Sequence, residues 1–276
     1  MVTTSSIISM AISFVLGSLL PILLAFILHK KLRFTWKSVL IGVFVYSSLF
    51  ILIGKLTLSW YLYKNVWYIE FHRKHYFLNG LLLAFNAGLT EELGRYIAFR
   101  FFLKNHLTWE NGIGYGIGHG GFESAYRGIS FLKGLIFAIV LNANPTMTGL
   151  TPSMINKLSE SPIGTPPLKI LISGIGLFNG FIIQIAFSLI VLYAVKNRKV
   201  SFLFLAVLLH TTLDFIGIAF AGLSAMKDYW SIVLAFCWLT IWITLIIWIF
   251  KSKRYLEVNA APMQKIENEK GNNENN

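Results

Sequence analysis

The chain has 276 residues, of which 55% are hydrophobic and 13% charged, with 23 Phe, 11 Tyr and 8 Trp. Such an excess of apolar and aromatic side chains excludes an ordinary water-soluble domain and indicates a polytopic membrane protein. The formal net charge of +12 would suggest nucleic acid in a soluble protein, but the basic residues cluster beside apolar runs. Membrane topology accounts for them, and no nucleic-acid partner is expected.

In chain order, Ser6 to Leu28 carries no charge. At about 1.5 Å rise per residue it can cross a hydrocarbon core about 30 Å thick. A cleaved signal peptide fits poorly, because Met1 to Ser5 has no basic residue and no small-x-small cleavage site precedes Lys30. Further spans are predicted at 38–57, 77–99, 111–142, 168–195, 200–222 and 229–250. Trp60, Tyr61, Tyr63, Trp67 and Tyr68 read as an interfacial aromatic cluster. The stretch 111–142 is long for one straight crossing and begins Gly-rich, GIGYGIGHGG, which predicts a bend, a tilt or a break into two pieces. The single cysteine, Cys237, can form neither an intrachain disulfide nor a multi-cysteine zinc site.

The fold class expected is therefore all-α, a polytopic transmembrane helix bundle of about seven spans, one broken or re-entrant, with an eighth crossing left open. Residues 1–256 form the membrane domain, and residues 257–276, rich in Asn, Glu and Lys without aromatics, read as a disordered tail. A Pro-rich outward loop is expected at 143–167. Segments 29–37, 100–110, 196–199 and 251–254 hold twelve Lys and Arg, against five in 58–76, 143–167 and 223–228. That asymmetry predicts the N-terminus outside and the C-terminus in the cytoplasm, with the lipid bilayer as the permanent partner.

Seven ionisable residues within the apolar segments must be explained together: Glu91, Glu92, Arg95, His119, Glu123, His210 and Asp214. Each costs on the order of 2.5–3.5 kcal/mol at membrane depth, so each requires a reason. Glu91/Arg95, His119/Glu123 and His210/Asp214 are spaced i,i+4, which on a helix puts both partners on one face. With the predicted topology, Glu92, His119 and His210 fall roughly 10, 12 and 15 Å from the cytoplasmic ends of their spans, in one layer. Glu91 and Glu92 project about 100° apart, so either can pair with Arg95 while the other handles a proton. Glu123 is positioned to fix the tautomer of His119, and Asp214 that of His210.

No nucleophile stands in a G-x-S-x-G elbow, and Cys237 has no acid or base near it in sequence, so covalent acyl transfer is poorly supported. Two chemistries remain open. A carboxylate can activate water while histidines bind it or an oxyanion, or zinc can be held by His119, His210 and Glu92 with an open position for water. No H-E-x-x-H motif decides between metal and no metal. A proton- or ion-coupled transporter would use the same residue types, and a silent immunity or regulatory scaffold is a third reading.

Glu91-Glu92-x-x-Arg95, Gly118-His119-Gly120-Gly121-x-Glu123 and His210-x-x-x-Asp214, in this order on separate apolar segments, resemble the YhfC-type intramembrane proteases. These are relatives of the CAAX prenyl proteases, the bacteriocin-processing enzymes and the PrsW-type proteases. The resemblance spans about residues 1–250. It implies an intramembrane endopeptidase of metallo or glutamic type acting on a membrane protein or peptide in a bacterial plasma membrane. Glu92 or Glu91 would activate water, and His119 and His210 would bind water, oxyanion or metal. Arg95 follows the double Glu one residue earlier than in the CAAX enzymes, and Asp214 stands where many of those carry Asn, which points away from a prenylated substrate.

Overall fold

The computed structural model describes residues 2–49, 52, 61–143, 162–226 and 229–258. Within them every regular element is helical. We number the α-helices α1 (Thr4–Leu32), α2 (Trp36–Leu49), α3 (Val66–Lys74), α4 (Tyr76–Ile97), α5 (Trp109–Ala143), α6 (Pro167–Lys196), α7 (Ser201–Met226) and α8 (Tyr229–Val258). Five stretches among the described residues are long and apolar enough to cross a membrane: Thr4–Leu32, Trp109–Ala143, Pro167–Lys196, Ser201–Phe220 and Ala235–Leu256. The described part of α2 is shorter, and α4 has the length but is interrupted by Asn79, Asn86, Glu91, Glu92 and Arg95. Large apolar side chains such as Phe44, Phe204, Phe236 and Phe250 are exposed on the outer surface, as lipid-facing positions require. The chain is an integral membrane protein.

Helix α1 contains a π-turn at Val15–Leu19. Pro21 has no N–H to donate to the Gly17 carbonyl one turn back, so a regular ladder is lost there. The freed carbonyl accepts instead from Ser124 Oγ of α5 at 2.7 Å, which fastens the two helices. A second π-turn, Ala98–Phe102, extends α4. The short helix α3 carries Tyr61, Tyr63 and Trp67 nearby as exposed aromatics and buries Tyr68, whereas Trp60 lies outside the described residues. The expected outward loop lies outside them over 144–161, as does the tail from 259; α8 runs to Val258, two residues past the boundary predicted for the membrane domain.

The predicted break in the Gly-rich segment is corrected by the structure: α5 is one continuous α-helix of 35 residues, about 52 Å at the standard rise. None of its glycines adopts a positive φ. Their spacing serves packing on two sides. Gly114 and Gly118, one turn apart, meet Ser38 and the Val39 backbone of α2 and Phe34 just before it; Gly112, Gly116 and Gly120, again one turn apart, meet Leu192, Ile185 and Gln184 of α6. The alternating pattern is thus two interleaved small-xxx-small stripes, each admitting a neighbouring helix to close range. Contacts run in parallel order between α5 and α2 and in antiparallel order between α5 and α6. Helices α4 and α7 form a tight antiparallel pair, with Gly88 against Thr211 and Gly80 against Ile218, and α8 packs on α6 and α7.

A Cβ on Gly118 would lie 2.7 Å from the Val39 carbonyl carbon and closer still to its oxygen, whereas one on Gly176 would meet nothing within 4 Å among the described residues. Gly118→Ala is therefore expected to destabilise the bundle by about 1–3 kcal/mol through overpacking, and Gly176→Ala to be neutral or slightly stabilising. Thermal unfolding of the two purified variants in detergent checks the contrast; equal midpoints would contradict the packing role.

Candidate metal centre

Three helices deliver the ionisable side chains and a fourth ties them together. On α4, Glu92 and Arg95 are both fully buried, and Arg95 Nη1 donates to the two Glu92 carboxylate oxygens at 3.0 and 3.2 Å. From α7, His210 Nδ1 lies 2.7 Å from Glu92 Oε1, so this carboxylate fixes the imidazole tautomer with Nδ1 as the donor. The His210 ring stacks on Phe187 of α6, with centroids 4.7 Å apart. Its Nε2 is thereby turned toward Glu91 Oε2 at 3.8 Å and Asp214 Oδ2 at 3.6 Å.

Glu91, about 100° around α4 from Glu92, faces α5. Its Oε2 lies 3.0 Å from His119 Nε2. The His119 ring is fully buried against Tyr46 of α2, with ring centroids 5.0 Å apart, and its Nδ1 has no hydrogen-bond partner among the described residues. Glu123, one turn along α5, receives Arg127 Nη2 at 3.0 Å on Oε1 and Gln184 Nε2 at 2.8 Å on Oε2. The same Gln184 nitrogen donates to Glu91 Oε2 at 3.1 Å, while Gln184 Oε1 accepts from Arg95 Nη2.

The shared layer expected for Glu92, His119 and His210 is present, but two of the three helical pairs are re-partnered. Arg95 pairs with Glu92 rather than Glu91, because the i,i+3 geometry on α4 directs both toward α6 and α7 while Glu91 turns to α5. His119 pairs across helices with Glu91, and Glu123 is taken by Arg127 and Gln184, so Glu123 does not set the His119 tautomer. His210 and Asp214 remain neighbours at 3.6 Å. Sequence reasoning missed Gln184 and Arg127. Gln184 had a signal, a single carboxamide in the run Phe181–Phe187, and Arg127 had the i,i+4 spacing from Glu123.

Glu91, His119 and Glu123 each offer one donor atom, all within 4.8 Å of one another. One imidazole nitrogen and two carboxylate oxygens suit zinc and leave a coordination position free for water. The metal set expected from sequence, His119, His210 and Glu92, is different: Glu92 is sealed between Arg95 and His210 Nδ1, and Glu91 and Glu123 stand in the accessible positions.

Residues 16–235 match the model of the YhfC intramembrane metalloprotease family. The chain belongs to the YhfC family. It is 31% identical over 215 residues, 76% of this chain and 83% of the other, to the uncharacterized membrane protein YhfC of Bacillus subtilis (strain 168). No solved structure matches. The region matched by the YhfC family includes every residue of the cluster, from Tyr46 to Asp214.

Replacing Arg95 by Leu leaves the Glu92 carboxylate and the Gln184 carbonyl buried with their shared cation gone. Arg95→Leu should destabilise the protein by about 3–5 kcal/mol, and adding Glu92→Gln should recover part of the loss by removing the uncompensated charge. Unfolding midpoints of the wild type, both singles and the double variant measure the coupling; additive effects would show that the two residues do not depend on each other.

Proposed function

We propose that the chain is an intramembrane metalloprotease that hydrolyses a peptide bond of a membrane-embedded protein or peptide, with Glu91, His119 and Glu123 as metal ligands. The observation that carries this reading is the convergence of those three donor atoms within 4.8 Å on helices that also belong to a family described as intramembrane metalloproteases. A zinc ion there would supply a Lewis acid and lower the pKa of a bound water.

The remaining residues divide the other tasks. His210, held through Nδ1 by Glu92, accepts a proton from the attacking water at Nε2 and returns it to the leaving amine nitrogen. Asp214 beside Nε2 stabilises the intervening imidazolium. Arg95, bonded to both Glu92 oxygens, holds that carboxylate in place against His210 Nδ1. Water would enter on the side of Glu91, Glu123 and Asp214, whose side chains are 15%, 14% and 45% exposed. With the N-terminus outside, as the Lys/Arg asymmetry indicates, the cluster lies in the cytoplasmic half of a bacterial plasma membrane.

Glu91→Gln preserves side-chain volume and removes a charged ligand; His119→Ala removes the imidazole. Both variants are expected to fold, to lose the roughly one equivalent of metal found by elemental analysis in the wild type, and to lower processing by at least about 100-fold. Comparative membrane proteomics of wild-type and Glu91→Gln cells should reveal a full-length protein that accumulates only in the variant. Unchanged metal content together with unchanged processing would refute the assignment.

A further inference from the structure

We propose that Gln184 is a positioning residue that brings two ligand carboxylates from separate helices into one metal site, acting as a neutral clamp. The inference rests on the metal reading above and extends it to a residue outside the donor set.

Glu91 and Glu123 are anions on α4 and α5, and their mutual repulsion opposes a shared coordination volume. A carboxamide nitrogen has two protons, and those of Gln184 are both used, one on Glu91 Oε2 at 3.1 Å and one on Glu123 Oε2 at 2.8 Å. The amide cannot be turned over to serve equally well: its Oε1 accepts from Arg95 Nη2, and the opposite orientation would set that oxygen against two carboxylates and the NH2 against a guanidinium. Arg95 thus fixes which end of Gln184 faces the ligands. Burial at 4% exposure keeps bulk water from replacing these bonds.

The stem of the side chain is placed as deliberately as its head. A Cβ on Gly120 would lie 2.7 Å from Gln184 Cβ and 3.2 Å from its Cγ, so Gln184 passes over α5 at the one ligand-bearing turn that lacks a side chain on that face. Gly120, beside His119 in sequence, provides clearance for the residue that orients the other two ligands. A lysine at position 184 would neutralise a ligand charge and compete with a metal cation, and a glutamate would add to the repulsion. Only a neutral side chain with two donors and an acceptor satisfies Glu91, Glu123 and Arg95 together.

The test is cobalt(II) binding to the purified full-length protein in detergent, followed by the visible d–d absorption and by competition with a chelator. Wild type should bind one equivalent. Gln184→Met, which keeps length and volume without either donor, should bind about 10–100-fold more weakly and with an altered band, as loss of a ligand-orienting hydrogen bond does elsewhere. Gly120→Ala, which leaves every polar group in place and displaces the stem, should weaken binding in the same direction. If Gln184→Met fails to fold, as judged by metal-free thermal unfolding, Gly120→Ala decides. Wild-type affinity and spectrum in a folded Gln184→Met or Gly120→Ala protein would overturn the clamp while leaving the metal site standing. Absence of cobalt binding by wild type would overturn the metal reading and the clamp together.

Discussion

The site depends on a cation at a place where no water reaches it. Arg95 is fully buried, and a guanidinium removed from water needs both a counter-charge and acceptors for its remaining protons. Glu92 supplies the charge from the same helix, and Gln184 supplies an acceptor from α6. Each partner then carries the constraint outward. Glu92, already committed to Arg95, uses Oε1 to hold His210 by Nδ1; Gln184, committed through its oxygen, has only its nitrogen left for Glu91 and Glu123. A single buried charge therefore specifies the orientation of an imidazole on one side and of two carboxylates on the other.

That network can form only because the helices approach closely. The Gly112/Gly116/Gly120 stripe brings α6 to the backbone of α5 and Gln184 within reach of Glu123, and the Gly114/Gly118 stripe lets α2 place Tyr46 over His119. Gly88 does the same for α4 against Thr211, beside His210. In a bilayer there is no hydrophobic gain from bringing two apolar helices together, so close van der Waals contact and buried hydrogen bonds carry the association. Polar cluster and glycine stripes are one arrangement: the small residues permit the approach, and the polar groups fix its register.

The all-helical class, the membrane character and the proximity of Glu91, Glu92, His119 and His210 were legible in the sequence. Apolar run length and the cost of intramembrane charge are local properties that survive folding. Partner assignment was not legible. An i,i+4 spacing shows which side chains can meet on one helix, but it is silent about competition from other helices, and His119 chose Glu91 on α4 over Glu123 on its own helix. The continuous course of α5 was hidden for a related reason. Glycine in isolation favours a break, and here the two neighbouring helices that its absent side chains admit hold the segment helical. Gln184, uncharged, did not stand out among ionisable residues although it touches three of them.

The adjacency of Glu91 and Glu92 explains how two identical acids acquire different work. A rotation of about 100° between consecutive helical residues sends Glu92 into the closed interface with Arg95 and His210, and Glu91 toward the partly open space shared with His119 and Glu123. The sealed carboxylate has its oxygens engaged by a guanidinium and an imidazole, so it is suited to holding a tautomer. The accessible one shares a single oxygen among His119, Gln184 and, at longer range, His210, so it can exchange those contacts for a cation without exposing an unpaired charge. Interchanging the roles would require turning α4 about its axis, which the Gly88–Thr211 and Gly80–Ile218 contacts with α7 forbid. The double glutamate is thus a sealed and an accessible carboxylate separated by one peptide bond, and the helix face each occupies decides which is which.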